Sequence, residues 1–152
     1  MNLFKTDTFI SRFSDRFPQY AALPPWQFTL QWKAILAREI MLADEDYHVE
    51  NEVAIHRSAI IEPGAVIKGP VWIGPDCFVA AHAYLRGPVM LEHAVKIGPS
   101  SKKKNSILFH HTAVAHLNYI GDSLIGSHVN FEAGSIVANH YNERLDKRIF
   151  VF

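Results

Sequence analysis

The residues best equipped for chemistry in this chain are histidines and cations. Nine histidines stand among 152 residues, and an imidazole, which changes charge near neutral pH, can accept a proton or ligate a metal. Arg86 and Lys104, two such cations, lie 18 residues apart. Lys102, Lys103 and Lys104 form a run that reads most simply as a solvated loop tip. Cys77 is the single cysteine. It cannot form an internal disulfide, which fits a reducing compartment, and its place in the pattern below predicts a core residue.

A scaffold must hold these side chains, and the sequence announces one after residue 50. Ile55, Ile61, Ile67, Ile73, Val79, Leu85, Leu91 and Ile97 recur every six residues. Two places before each stands a small or β-branched residue: Val53, Ala59, Ala65, Val71, Cys77, Ala83, Val89 or Val95. Neither a helix nor an ordinary strand has that period. Each unit supplies a short strand with an inward pair and then a turn rich in Gly and Pro. Three units close a coil of 18 residues, so Ile55, Ile73 and Leu91 stack and successive coils bury one another's cores. At position 103 the expected apolar residue is Lys103, and a second series follows in a new phase at Ala113, Tyr119, Ile125, Phe131 and Val137. That break predicts an irregular coil or an outward loop, with Tyr119 in the inward series.

Residues 1–48 read as a helical cap over the first coil, and 49–152 as the β-helix domain. Phe28, Trp32, Leu36 and Ile40 fall four apart after Pro25, one apolar stripe of a helix. A weaker helix is expected from Asp7 to about Arg16. The closing Ile149–Phe152 resembles the start of another strand, so a longer natural chain or a covered end is expected. Lys plus Arg and Asp plus Glu number 15 each, which gives no field for nucleic acid or an anionic membrane surface. The charged N-terminus lacks the apolar stretch of a signal peptide, and no run approaches a membrane span. A soluble, cytoplasmic protein is expected.

The stretch Ala115-His116-Leu117-Asn118-Tyr119-Ile120-Gly121-Asp122, with Ile125-Gly126 and Val129-Asn130-Phe131-Glu132-Ala133-Gly134, makes the family resemblance specific. It is similar to the acetyltransferase half of the bifunctional glucosamine-1-phosphate acetyltransferase/N-acetylglucosamine-1-phosphate uridylyltransferase family and of related sugar-phosphate nucleotidylyltransferases. The resemblance covers roughly residues 55–142 and implies a mainly β fold: a left-handed parallel β-helix of hexapeptide repeats with an α-helical N-terminal segment. It implies acyl transfer from acetyl-CoA to an amino-sugar phosphate or nucleotide sugar, no metal, and a homotrimer with sites between subunits. Carried over, His116 falls on the general base, and Arg86 and Lys104 on the phosphate-holding positions. Tyr119, Asn130 and Asn139 fall on residues that hydrogen-bond the sugar, and Ala133 on a position lining the acetyl-CoA site. The chain departs where the family has a tyrosine after Asn139, which is His140 here, and a lysine six residues after it, which is Leu145. Two other readings compete. One is a non-catalytic solenoid that binds a sugar phosphate. The other resembles zinc-dependent γ-class carbonic anhydrases, with His93, His111 and His116 as ligands.

Overall fold

The computed structural model describes residues 4–138 together with 143, 145, 146 and 148. Three helices come first: α1 (Thr6–Phe9), α2 (Phe13–Arg16) and α3 (Pro25–Met41). Pro25 occupies the first turn of α3, where its missing N–H removes no helical bond. The strands β1 (Tyr47–Glu50), β2 (Val53–His56), β3 (Ile60–Ile61), β4 (Val66–Lys68), β5 (Val71–Ile73) and β6 (Phe78–Val79) follow. Next are β7 (Tyr84–Leu91), β8 (Lys96–Ile97), β9 (Lys102–Leu108), β10 (Ala113–Val114), β11 (Tyr119–Ile125), β12 (Asn130–Phe131) and β13 (Ile136–Val137). None of the described helices is long and apolar enough to cross a membrane.

β1 pairs antiparallel with β2, and from β2 onward the strands wind into a parallel β-solenoid of about five turns. Its three flat faces are most simply named by their strands. The first face carries β2, β5 and the second halves of β7, β9 and β11; the second carries β3, β6, β8, β10 and β12. The third carries β4, the first halves of β7, β9 and β11, and β13. The hexad rule holds through the early coils: Ile55 pairs with Ile73, and Ile73 with Leu91. At most corners one residue takes a left-handed conformation, among them Asp76, His82, Ala94, Ser100, His111, Leu117 and His128.

The phase change at 103 is not a loop. Lys103 stays in the inward series, fully buried between Leu85 and Ile120 in register. The residue is lost one step later. Arg86 and Val89 are separated by Gly87-Pro88, but their partners Lys104 and Ser106 by Asn105 alone. Asp122 makes the same one-residue corner in the next coil. Both take positive φ, 46° and 50°, which Asn and Asp tolerate better than most residues. Asn105 Nδ2 donates to Asp122 Oδ1 at 2.6 Å, tying the two short corners together. The later coils therefore hold 17 residues, and the inward residues are Val114 and Ile120, not Ala113 and Tyr119. Ile125, Phe131 and Val137 do pack against the core as the spacing predicts.

The helical segment lies along the flank of the solenoid and not over its first coil: α3 contacts β5, β7, β9 and β11. A row of outward residues on the first face explains its seat. Ala54, Trp72, Met90, Ile107 and Leu124 are register partners in successive coils, and all are apolar. Phe13, Phe17, Phe28 and Trp32 pack with this row into a second core, with Phe13 and Phe28 edge to face at 4.8 Å. Arg16 and Glu39 pair at 2.6 Å across the helices.

Coil spacing is tight enough to make one glycine decisive. A Cβ on Gly74 would stand 1.6 Å from the carbonyl oxygen of Glu92 in the next coil, a clash with backbone that no rotamer relieves. We expect Gly74→Ala to cost about 3 kcal/mol or more, a fall in Tm on the order of 10 °C for a chain of this size. Thermal melts followed by circular dichroism test it; an unchanged Tm would mean the coils are not stacked as described.

Candidate functional site

On the third face, side chains two residues apart point to the same side, so the register reads out as two outward rows. One row runs Lys68, Arg86, Lys104, Gly121, and the other Val66, Tyr84, Lys102, Tyr119, Ile136. Arg86 and Lys104 are direct cross-strand neighbours, about 4.8 Å apart at Cα as in any sheet. The row ends at a glycine, and that has a consequence: a Cβ at Gly121 would stand 2.5 Å from the Tyr119 hydroxyl oxygen. Tyr119 thus lies over Gly121 and brings its hydroxyl to the end of the cationic row. It is half-buried on the outer surface and does not belong to the inward series.

The charges of these rows are poorly balanced. Lys104 Nζ lies 4.0 Å from Asp122 Oδ2, and Asp122 already accepts the hydrogen bond from Asn105. Lys68 Nζ and Lys102 Nζ stand 5.4 and 5.6 Å from the centre of the Tyr84 ring, an arrangement in which the aromatic face attracts cations. Lys103, within the same strand, is the exception to exposure. Among the described residues its ammonium makes one hydrogen bond, to the Lys102 carbonyl at 3.4 Å, and burial pushes its pKa down to about 7. The lysine run is therefore not a loop tip: Lys102 and Lys104 face outward and Lys103 faces the core, as a strand requires.

His116 stands on the corner between the second and third faces, stacked between Pro99 of the preceding coil and Ala133 of the following one. Its main chain is fastened. The carbonyl accepts from Gly134 N at 3.2 Å and from Asn118 Nδ2 at 3.2 Å, while Leu117 N donates to Pro99 O at 3.2 Å. Asn118 is buried and also donates to Ala115 O at 2.8 Å. The imidazole of His116 is exposed and makes no hydrogen bond with the described residues. Ala133 is exposed beside it. Asn130 lies on the second face, paired in register with Ala113, and donates Nδ2 to Glu132 Oε1 at 2.7 Å. Within one chain, then, Arg86, Lys104 and Tyr119 share a face, His116 and Ala133 share the adjoining corner, and Asn130 lies beyond it. Asn139 lies outside the described residues.

The histidines form a second cluster on a different corner, between the first and second faces. His93, His110 and His111, and His128 come from three successive coils, with His111 and His128 stacked at 5.0 Å and His93 5.1 Å from His111. They border a cleft of about 520 Å³ against α2. His110 Nδ1 lies 3.1 Å from Glu92 Oε2 and 3.1 Å from Ser127 Oγ, and His93 Nε2 lies 3.2 Å from Asp76 Oδ2. Burial, then the charges of His128, His93 and His110, lower the His111 pKa. The signal was present in the 17- and 18-residue spacing of 93, 110, 111 and 128. His116 is on another corner, so the zinc triad of His93, His111 and His116 does not converge. Among the described residues no three His, Cys, Asp or Glu side chains are placed to hold a metal ion. Cys77 is buried, with its thiol pushed up to about 11 by that burial, consistent with a packing role.

Comparison with known proteins identifies the family of the solenoid. The bifunctional protein GlmU of Janthinobacterium sp. (strain Marseille) is 32% identical over 117 residues, 74% of this chain and 25% of the relative. GlmU of Methanococcus maripaludis (strain C5) is 43% identical over 97 residues, 60% of this chain and 24% of the relative. The chain spans about a quarter of the length of these relatives. A crystal structure of PerB from Caulobacter crescentus with CoA and GDP-perosamine aligns over 57% of this chain and 51% of its own, with 17% identity and a TM-score of 0.35, too low to bear on the site. The family described as the GMPPB C-terminal domain matches residues 49–141. That match takes in more than half of the sequence and nearly all of the solenoid, and the chain belongs to this family of hexapeptide-repeat, acetyltransferase-like domains.

Proposed function

We propose that this chain is an acetyl-CoA-dependent N-acetyltransferase whose acceptor is an amino sugar bearing phosphate. The observation that best supports the reading is the register of β7 on β9, which sets Arg86 beside Lys104. Two adjacent cations suit one phosphate. Gly121, the neighbour of Lys104, follows His116 by five residues, so at most about 17 Å of strand separates them. The long cationic side chains and the imidazole take up most of that distance. What remains fits an acceptor with its amine a few ångströms from its phosphate.

In the reaction, the acceptor amine attacks the thioester carbonyl as His116 takes a proton from nitrogen. The N–C bond forms, the C–S bond breaks, and the departing thiolate receives the proton. The small side chain of Ala133 leaves room for the thioester beside His116. Tyr119 hydrogen-bonds the sugar at the end of the cationic row, and Asn130 and Asn139 serve the acceptor from further along the chain.

The acting form in this reading is a homotrimer with sites between copies. The helices cover the first face, leaving the other two faces and the His116 corner between them. Triangular prisms packed about a three-fold axis with that corner inward set the second face of one copy against the third face of the next. Asn130 of one chain then meets the Arg86 row of another. The reading is tested by following thiol release from acetyl-CoA over a panel of amino-sugar phosphates, with Arg86→Ala as the companion. Thiol release with an acceptor KM raised at least tenfold in the variant is expected. Binding of the sugar phosphate with no binding of acetyl-CoA would make the solenoid a sensor instead.

A further inference from the structure

We infer that Lys68 and Lys102, with Arg86 and Lys104, form one diphosphate-binding surface, and that this pair selects an acceptor carrying two linked phosphates over one carrying a single phosphate. The inference rests on the proposed acceptor site and extends it by two cations and one ring that the family motif does not include.

Four features carry it. First, Lys68 is the register partner of Arg86, as Arg86 is of Lys104. The three cations therefore stand in one row on adjacent strands, spanning about 10 Å, longer than one phosphate needs. Second, Lys102 flanks that row, and its ammonium and that of Lys68 both stand within 5.6 Å of the Tyr84 ring centre. The ring gathers the two ammoniums beside Arg86, its near neighbour in β7. Third, the patch is not neutralised by the protein. Among the described residues, Lys68, Arg86 and Lys102 form no ion pair, and the one carboxylate near Lys104 is 4.0 Å away. The chain as a whole carries equal numbers of acidic and basic residues, so four cations against one distant carboxylate mark a local excess. Fourth, Lys68, Arg86 and Lys102 are exposed, and the helical segment covers another face.

Like charges held this close repel unless an anion joins them. One phosphate satisfies Arg86 and Lys104 and leaves Lys68 and Lys102 uncompensated. A diphosphate, with two adjacent anionic groups, bridges both pairs. The acceptor class is therefore a sugar linked through a diphosphate, as in a nucleoside diphosphate sugar, with Tyr84 offering its ring beside the bridge.

Calorimetric titration of the full chain with inorganic phosphate, pyrophosphate and UDP-glucose tests this, in the wild type, Lys68→Ala/Lys102→Ala and Arg86→Ala. We expect pyrophosphate to bind at least tenfold more tightly than phosphate in the wild type. In the double variant that ratio should fall below threefold with phosphate affinity unchanged, and UDP-glucose should weaken in step with pyrophosphate. Arg86→Ala should weaken all three. A ratio unaltered in the double variant, with Arg86→Ala still harmful, would overturn the diphosphate assignment and leave the monophosphate acceptor standing. No anion binding in the wild type would overturn both. Lys68 and Lys102 are exposed in the single chain and face the next copy in the proposed trimer, so circular dichroism and the oligomeric state of each variant are checked alongside.

Discussion

Replacing Lys103 with methionine should make this protein markedly more stable at neutral pH and remove part of its pH dependence. Lys103 is fully buried in the inward stack, with Leu85 on one side and Ile120 on the other. Among the described residues no carboxylate pairs with it, and its one hydrogen bond is to the Lys102 carbonyl at 3.4 Å. Burial disfavours the charged form and lowers the pKa from 10.5 to about 7. Between about pH 7 and 10.5 the unfolded chain holds a proton there that the folded chain does not. Stability therefore rises with pH across that window, and below about 7 the full cost of the buried charge is present. A shift of that size corresponds to roughly 5 kcal/mol as an upper figure. Methionine matches the length of the side chain without the charge. We expect Lys103→Met to gain about 3 kcal/mol at pH 7, on the order of 10 °C in Tm. Urea melts at pH 7 and pH 9 should show the wild type gaining roughly 2 kcal/mol more than the variant over that step. Parallel pH profiles for the two proteins would mean that Lys103 is solvated in the native state.

That lysine also shows where reading the sequence stopped short. The six-residue period needs only one residue type at one interval, so the solenoid, its stacking and its inward rows up to Ile97 were legible. A charged residue at the next step looked like an interruption, because burial of an unpaired ammonium is the least expected outcome of a pattern. The true irregularity was the one-residue corner at Asn105, repeated at Asp122, which shifts each later coil by one. Ala113 and Tyr119 then sit one place before the real inward residues Val114 and Ile120, close enough to mimic a series of their own. The outward apolar row from Ala54 to Leu124 was equally visible in principle, at intervals of 18 and then 17 residues. The six-residue period marks the buried interior of the solenoid and carries no sign of a second core on its outside. Arg86 beside Lys104 needed the register of β7 on β9, which the corner could have altered. The corner comes after Lys104, so the 18-residue interval survives.

Removing the imidazole of His116 should abolish most of the proposed turnover and leave the fold intact. The side chain is exposed and makes no hydrogen bond with the described residues. The contacts that hold the corner belong to its carbonyl, which accepts from Gly134 N and Asn118 Nδ2, and to its neighbour Leu117. Alanine keeps all of these, so Tm should change by no more than about 1 kcal/mol allows. A general base contributes on the order of 10² to 10⁴ to the rate. His116→Ala should therefore lower kcat by about 10³ while acetyl-CoA and acceptor bind within a few-fold of the wild type. A role confined to holding the corner would give a different result: kcat and Tm would fall together. Thiol release and thermal melts of both proteins separate these outcomes. Equal rates in the two would remove His116 from the chemistry and return the question of the base to the other residues along the same interface.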